Sequence, residues 1–459
     1  MKRLYTLVVA IGALAACIGG ATVAAQQADT TGNAPRSAGA SSVNANMITD
    51  EDISQAYLYL LGRLLVTRQE QLDFKEGFRW NELVHRKPGA VDWPNPNLDV
   101  AYSEAWVAVD ENSCTIVSVP QIKDRYFTVQ FLNGWGETLA NINERLFPQR
   151  PYGDFAVCLR GANVAIPEGA IRIDLPVKSA RVLARVALGK DRDGAVALQH
   201  EFRLTPTASP KLPAVPATLM FEPEKLPGVE AFDSATTALD SEPDLNPGLQ
   251  SMQVLTRRVA EAATNPAGRA RIDHVVRTRA MEEFGKAGAI IGHGTIHDGW
   301  TRPDVVGEYG LDYLARTLVN YGGIWANIKP EVLYYRCASD ATGAPLSGDH
   351  VYRLTFPKGV LPARFAQYFW SVIAVDDKRF RVLHSPQQKY LLNDAEGLTY
   401  GADGSLTLYF AAEKPADAPE SNWLLTPRGT NYRLTFRYYG PLDGVANGTY
   451  YPPPMTRVQ

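Results

Sequence analysis

Ala180-Arg181-Val182-Leu183-Ala184-Arg185-Val186-Ala187-Leu188 is the stretch on which the fold turns. Val182, Ala184, Val186 and Leu188 recur at every second position and point one way, while Arg181 and Arg185 point the other. That period belongs to a pleated strand with one face on a core. Outward from it, Val107 and Val109, then Ile116, Val117 and Val119, then residues 126–131 read as further strands divided by turn residues. A second β-rich block runs over 351–439. Within it, 369–375 and 380–384 flank Asp376-Asp377-Lys378, a hairpin by its turn chemistry. Asp403-Gly404 makes another tight turn, and the closing run 432–439 alternates again. Many short strands without regular βαβ alternation exclude a nucleotide-type parallel sheet. They predict a mainly β, α+β fold, with two antiparallel β-sandwich or jelly-roll-like domains joined by a helical region.

Helical signals fall outside those blocks. Thr49-Asp50-Glu51-Asp52 is a capping-box pattern, and Ile53, Ala56, Tyr57, Leu60, Leu61, Leu64 and Leu65 follow at helical spacing. Further helices are expected over 249–263, 267–286 and 311–324, after a Pro-rich, irregular crossing over 205–249. The implied division is a leader over 1–25, a flexible linker over 26–48, and an N-terminal β-rich domain with a leading helix over 49–205. A crossing and helical region over 206–325 and a C-terminal β-sandwich domain over 326–459 complete it.

The start of the chain predicts export. Lys2 and Arg3 precede an apolar run over 4–16, and Leu14-Ala15-Ala16-Cys17 reads as a lipobox. Such a run covers only ~20 Å at ~1.5 Å per residue, short of a ~30 Å hydrocarbon core. A diacylated Cys17 would tether a periplasmic lipoprotein to the envelope; cleavage after Val23-Ala24-Ala25 would leave it free. With 45% hydrophobic and 21% charged residues among 459, the chain has the composition of a globular protein. Its net charge of -3 gives no reason to expect nucleic acid, or membrane contact beyond the anchor. Beside Cys17 stand Cys114, Cys158 and Cys337. Cys114 and Cys158 lie in expected strands and could pair, or all three could be buried thiols.

Two short polar side chains in Asn97-x-Asp99 could hold a divalent cation or hydrogen-bond a sugar or alcohol, with Tyr102 over the same spot. The competing reading is a structural turn, since Asn and Asp bond their own backbone. His293 and His297 share a zincin spacing, but Gly292, Gly294 and Gly299 oppose a helix there, so a loop with two exposed histidines is expected and no metal is assigned. Trp135, Trp300, Trp370 and Trp423 stand beside Glu137, Asp298, Ser371 and Asn422, suited to stacking on sugars or holding an amphiphile, although large aromatics also fill cores. Arg185 and Arg437 lie on strands whose neighbours are expected to be buried. Each calls for an acid, and a structural ion pair is expected ahead of a bound anion. No Gly-x-Ser-x-Gly elbow, phosphate loop or Cys-x-x-Cys pair occurs.

Read together, residues 94–103, 124–131 and Trp135-Gly136-Glu137-Thr138 resemble a bacterial family, domain of unknown function 1254. Residues 309–314, Phe369-Trp370-Ser371, 403–406, Asn422-Trp423-Leu424 and 436–441 resemble its usual C-terminal partner, domain of unknown function 1214. One departure is Val100, where the family pattern carries a short polar residue. The resemblance implies two β-rich domains joined by helical segments and no settled reaction. The expected function is an exported envelope protein that binds a small organic or amphiphilic ligand in an inter-domain cleft, with hydrolysis as its chemistry if it has one. Asp99 would serve as base or cation ligand and Tyr102 as hydrogen-bond donor. Asn97, Trp135, Arg185, Trp370, Asn422, Trp423 and Arg437 would meet the ligand. The alternative is a non-catalytic carbohydrate-binding or structural envelope module, with aromatic surfaces turned outward. Sheet edges would admit a homo-oligomer.

Overall fold

A computed structural model of the chain describes residues 48–89 and 94–458. The expected leader, the lipobox and the linker up to residue 47 fall outside the described residues. Thr49 opens helix α1 (Asp50–Glu76) as expected: its hydroxyl accepts from the Asp52 N–H and the Asp52 carboxylate accepts from the Thr49 N–H. Two otherwise orphaned donors are thereby satisfied.

The N-terminal block contains β1 (Val84–His85), β2 (Val100–Ala108), β3 (Thr115–Val119), β4 (Phe127–Leu132), β5 (Thr138–Ile142), β6 (Gly153–Leu159), β7 (Ile171–Leu175), β8 (Ser179–Ala187), α2 (Arg192–Gln199) and β9 (Arg203–Pro206). They form two sheets, ordered β1-β2-β8-β4-β5 and β7-β6-β3-β9. Val182, Ala184 and Val186 of β8 enter a core shared with Val117, Phe131 and Phe155, so Arg181 and Arg185 leave through the opposite face. Cys114 and Cys158 form a disulfide, and Cys337 is a free, buried thiol.

The expected helices then follow, with one more, α3 (Ala235–Ser241), inside the Pro-rich crossing. They are α4 (Gln250–Ala262), α5 (Pro266–Val275) and α6 (Met281–Ile290), the last two joined by a wider turn over Val276–Ala280. A hairpin of β10 (Thr295–His297) and β11 (Trp300–Arg302) precedes α7 (Tyr313–Gly322). Helix α1 runs through the middle of this layer, sharing a core with Phe232, Val259, Val275 and Leu318. Gly62 sets its approach to α7, because a Cβ there would lie 2.5 Å from Thr317 Oγ1.

The C-terminal block contains β12 (Val332–Cys337), β13 (Tyr352–Phe356), β14 (Ala366–Asp376), β15 (Leu391–Asn393), β16 (Leu406–Ala411), β17 (Trp423–Leu425), β18 (Tyr432–Pro441) and β19 (Thr456–Arg457). Its sheets are ordered β10-β11-β12-β18-β14-β15 and β17-β16-β13-β19. Tyr432, Leu434, Phe436 and Tyr438 fill the core between them, and Thr435, Arg437 and Tyr439 take the other face. The fold is therefore mainly β with helices, as expected, and its strands pair antiparallel except β7 on β6 and β17 on β16. Two details differ. Strand β12 precedes the block expected to begin at Val351, because tyrosines on both of its faces blur the alternation. Residues 380–384 make only a bridge at Val375–Val382, and β15 pairs with β14 instead.

Candidate ligand-binding cleft

The faces of β2 and β8 that turn away from the N-terminal core meet the matching faces of β12 and β18. Val100, Tyr126 and Ala187 pack there on Val332 and Tyr439, with Tyr102 and Tyr334 against them. Beside this seam opens a cavity of about 570 Å³, walled also by the C-terminal turn of α7 and by Trp325. Strand alternation thus does two jobs: odd-numbered positions of β18 build one wall of the cleft while even-numbered ones build the core behind it.

Arg185 stands opposite Tyr102 across the β2–β8 pairing. Its Nη1 donates to Gln130 Oε1 at 2.6 Å, its Nε to the Tyr102 hydroxyl at 3.3 Å and its Nη2 to the Trp325 carbonyl at 3.4 Å. Arg437 is 2% exposed; its Nη2 donates to the Asn95 carbonyl at 2.7 Å, and its buried Nη1 has no partner. Tyr334 stands opposite Arg437 across β12 and β18. Burial raises its phenol, although Arg185 and Arg437 pull the other way. Two positions further along β12, half-buried Arg336 lies against Gly322, where a Cβ would sit 3.0 Å from its Nη2. Burial pushes the Arg336 guanidinium down to about 10, and repulsion from Arg433 and Arg437 adds to the drop.

Among the described residues, the structural ion pairs expected for Arg185 and Arg437 are not formed: carbonyl, amide and phenol oxygens take their place. Other inward-facing arginines divide: Arg63 and Arg302 are also held by backbone carbonyls, whereas three find acids. Arg181 meets Glu104 at 2.7 Å, Arg316 meets Asp244 at 2.8 Å and Arg145 meets Glu331 at 2.5 Å.

Of the residues picked from sequence, Asn97, Tyr102, Arg185 and Arg437 line the cavity together and Asp99 does not. Asn97 Oδ1 accepts from the Asp99 N–H at 3.1 Å, which is the structural turn weighed above. Asp99 is 3% exposed and accepts from Ser371 Oγ at 2.6 Å and Asn393 Nδ2 at 3.0 Å, with the Tyr439 hydroxyl at 3.5 Å. Burial raises its carboxyl, while Arg437 and these donors pull it down. Its role in this geometry is to fasten the loop before β2 to β14, β15 and β18.

The remaining picks stand elsewhere. Trp135 is enclosed with Tyr59 and Leu239 beneath the Arg316 guanidinium. Trp370 stacks on Phe436 inside the C-terminal core. Asn422 Nδ2 donates to the Thr399 and Thr407 carbonyls, and the Trp423 indole donates to the Ala411 carbonyl at 3.0 Å. Large aromatics beside polar partners proved to be core residues whose N–H groups need acceptors. His293 and His297 are exposed around the β10–β11 hairpin, and His293 Nδ1 lies 2.8 Å from Asp312. Among the described residues, no three His, Cys, Asp or Glu side chains gather as a metal site requires. Sequence reading missed Tyr334, Arg336 and Trp325. The pattern Val332, Tyr334, Arg336 against Leu333, Tyr335, Cys337 was the available signal for the first two.

Residues 80–206 match a family model described as Protein of unknown function (DUF1254), and residues 331–443 match one described as Protein of unknown function (DUF1214). No curated protein matches the chain. The crystal structure of the VPA0106 protein from Vibrio parahaemolyticus shares the fold, with a TM-score of 0.56 at 17% identity, over 90% of this chain and 100% of that one. An uncharacterised protein from Burkholderia cenocepacia gives 0.45 at 14% identity, over 89% and 93%. The two matched segments account for the two β-rich blocks that form the cleft, in the order their motifs implied, and the chain belongs to the family that joins DUF1254 to DUF1214.

Proposed function

We propose that this is an exported envelope protein that holds a small organic molecule in the cleft between its two blocks. The observation that carries this reading is the cavity of about 570 Å³, which has the size and the mixed aromatic and polar walls of organic-ligand sites. Binding is better supported than hydrolysis. Asp99, the expected base, is held by three donors and lies outside the lining, and the Tyr102 hydroxyl accepts from Arg185. A carbohydrate module with outward aromatics has less support, since Trp135 is 0% exposed and Trp423 is 8% exposed. Export rests on the leader and lipobox pattern, and the Cys114–Cys158 disulfide agrees with an oxidising compartment.

Calorimetry of the mature protein against a panel of small acids, esters, amides and alcohols tests the reading. Val332 is 3% exposed on the cleft wall, so Val332→Trp fills part of the cavity. Ligands found with the wild type are expected to lose at least tenfold in affinity in a folded Val332→Trp variant. Undiminished binding there would put the ligand outside the cleft and sink the reading.

A further inference from the structure

The acids that line the cavity among the described residues are Glu76, Glu104, Glu222 and Glu224. Arg86 pairs with both Glu76 and Glu104, and Arg68 pairs with Glu222 at 3.1 Å. Glu224 is exposed. Among the described residues, Arg185, Arg336 and Arg437 therefore face one cavity without a paired carboxylate in its walls. Asp99, behind Arg437, is already engaged by Ser371 and Asn393. Arg437 keeps a buried Nη1 with no acceptor among the described residues, and the Arg336 guanidinium lies against Gly322.

Gathering like charges in a partly dehydrated wall is unfavourable, and a buried guanidinium needs acceptors. Arg145, Arg181 and Arg316 have fixed acids, while Arg63 and Arg302 are held singly by backbone carbonyls and, for Arg63, a hydroxyl. An exchangeable anion would complete the cluster in the cleft, since guanidinium forks match carboxylate, sulfonate and phosphate oxygens. A bare inorganic ion would leave most of the cavity empty. Tyr102, Tyr126, Tyr334, Tyr439 and Trp325 offer ring faces and edges to an apolar body beside the charge.

We propose that the cleft takes an organic anion, its charged group held by Arg185, Arg336 and Arg437 and its aromatic or alicyclic body held by the tyrosines and Trp325. This rests on reading the cleft as a ligand site. The probes are 2-naphthoate, naphthalene-2-sulfonate and 2-naphthyl phosphate, with 2-naphthamide as the neutral counterpart, titrated calorimetrically into the mature protein and into Arg336→Gln. At least one anion is expected to bind tenfold or more tighter than the amide, and the ranking of the three identifies the head group. Arg336→Gln is expected to lose most of that advantage, its anion affinity falling toward that of the amide. Its empty form should melt no lower than the wild type, because the substitution removes repulsion. Equal affinity for amide and anions, an unchanged Arg336→Gln, or no binding of any of the three anions overturns the proposal. Amide binding that Val332→Trp abolishes would still leave the cleft standing as a site for neutral molecules.

Discussion

Asp99 and Arg185 carry opposite lessons about single residues. Both were legible as polar groups on otherwise apolar strands or strand entrances, yet sequence could not say which way each would find its partner. Asp99 turns to Ser371 and Asn393, partners more than two hundred residues away, so no local pattern announces them. Arg185 takes Gln130, Tyr102 and a carbonyl where an acid was expected. Removing the Asp99 carboxylate would strand three donors and take away a charge that attracts Arg437. Asp99→Ala is expected to cost about 3 kcal/mol, read as a lowered urea midpoint at an unchanged slope. A loss below about 0.5 kcal/mol would show that the loop before β2 is not fastened through this residue.

Elements were more readable than residues, because periodicity and caps are local. The capping box at Thr49, the three expected helices and the alternation in β8 and β18 all stand where their spacing put them. Strand β12 escaped because Tyr334 and Tyr335 present large aromatics to both faces, and with it escaped Arg336. The packing of α1 on α7 was also hidden, since a buried glycine looks like a weak point in a helix until its neighbour is known. At Gly62 a side chain would meet Thr317, whose hydroxyl donates to the Leu58 carbonyl at 2.9 Å. Gly62→Val should cost about 1–3 kcal/mol by overpacking, with thermal unfolding as the measurement. Helix propensity alone predicts a gain there, so the sign decides between the two effects.

Across the whole molecule, buried acids near α1 set a dependence on pH. Burial raises Glu70 to about 7 and Glu242 to about 7, with Arg63 opposing it in both. A carboxyl whose folded value exceeds its unfolded value binds its proton more tightly when folded. The resulting stability is in place below the ordinary carboxylate range and is lost as pH rises through about 7. Urea midpoints are therefore expected to fall between about pH 5.5 and pH 8, and Glu242→Gln should flatten that slope; a midpoint that rises over this interval would contradict the assignment. The juxtaposition of the two blocks was assumed in expecting an inter-domain cleft and was not legible, because the contacts that make it join residues hundreds of positions apart. One wall residue has a practical bearing. Trp325 borders the cavity and lies edge-on to Trp106, with the Arg181 cation 4.6 Å from its ring. Its indole is an optical probe already built into the cleft, and an occupant that displaces solvent from it or quenches it would report its own arrival by emission, with no label attached.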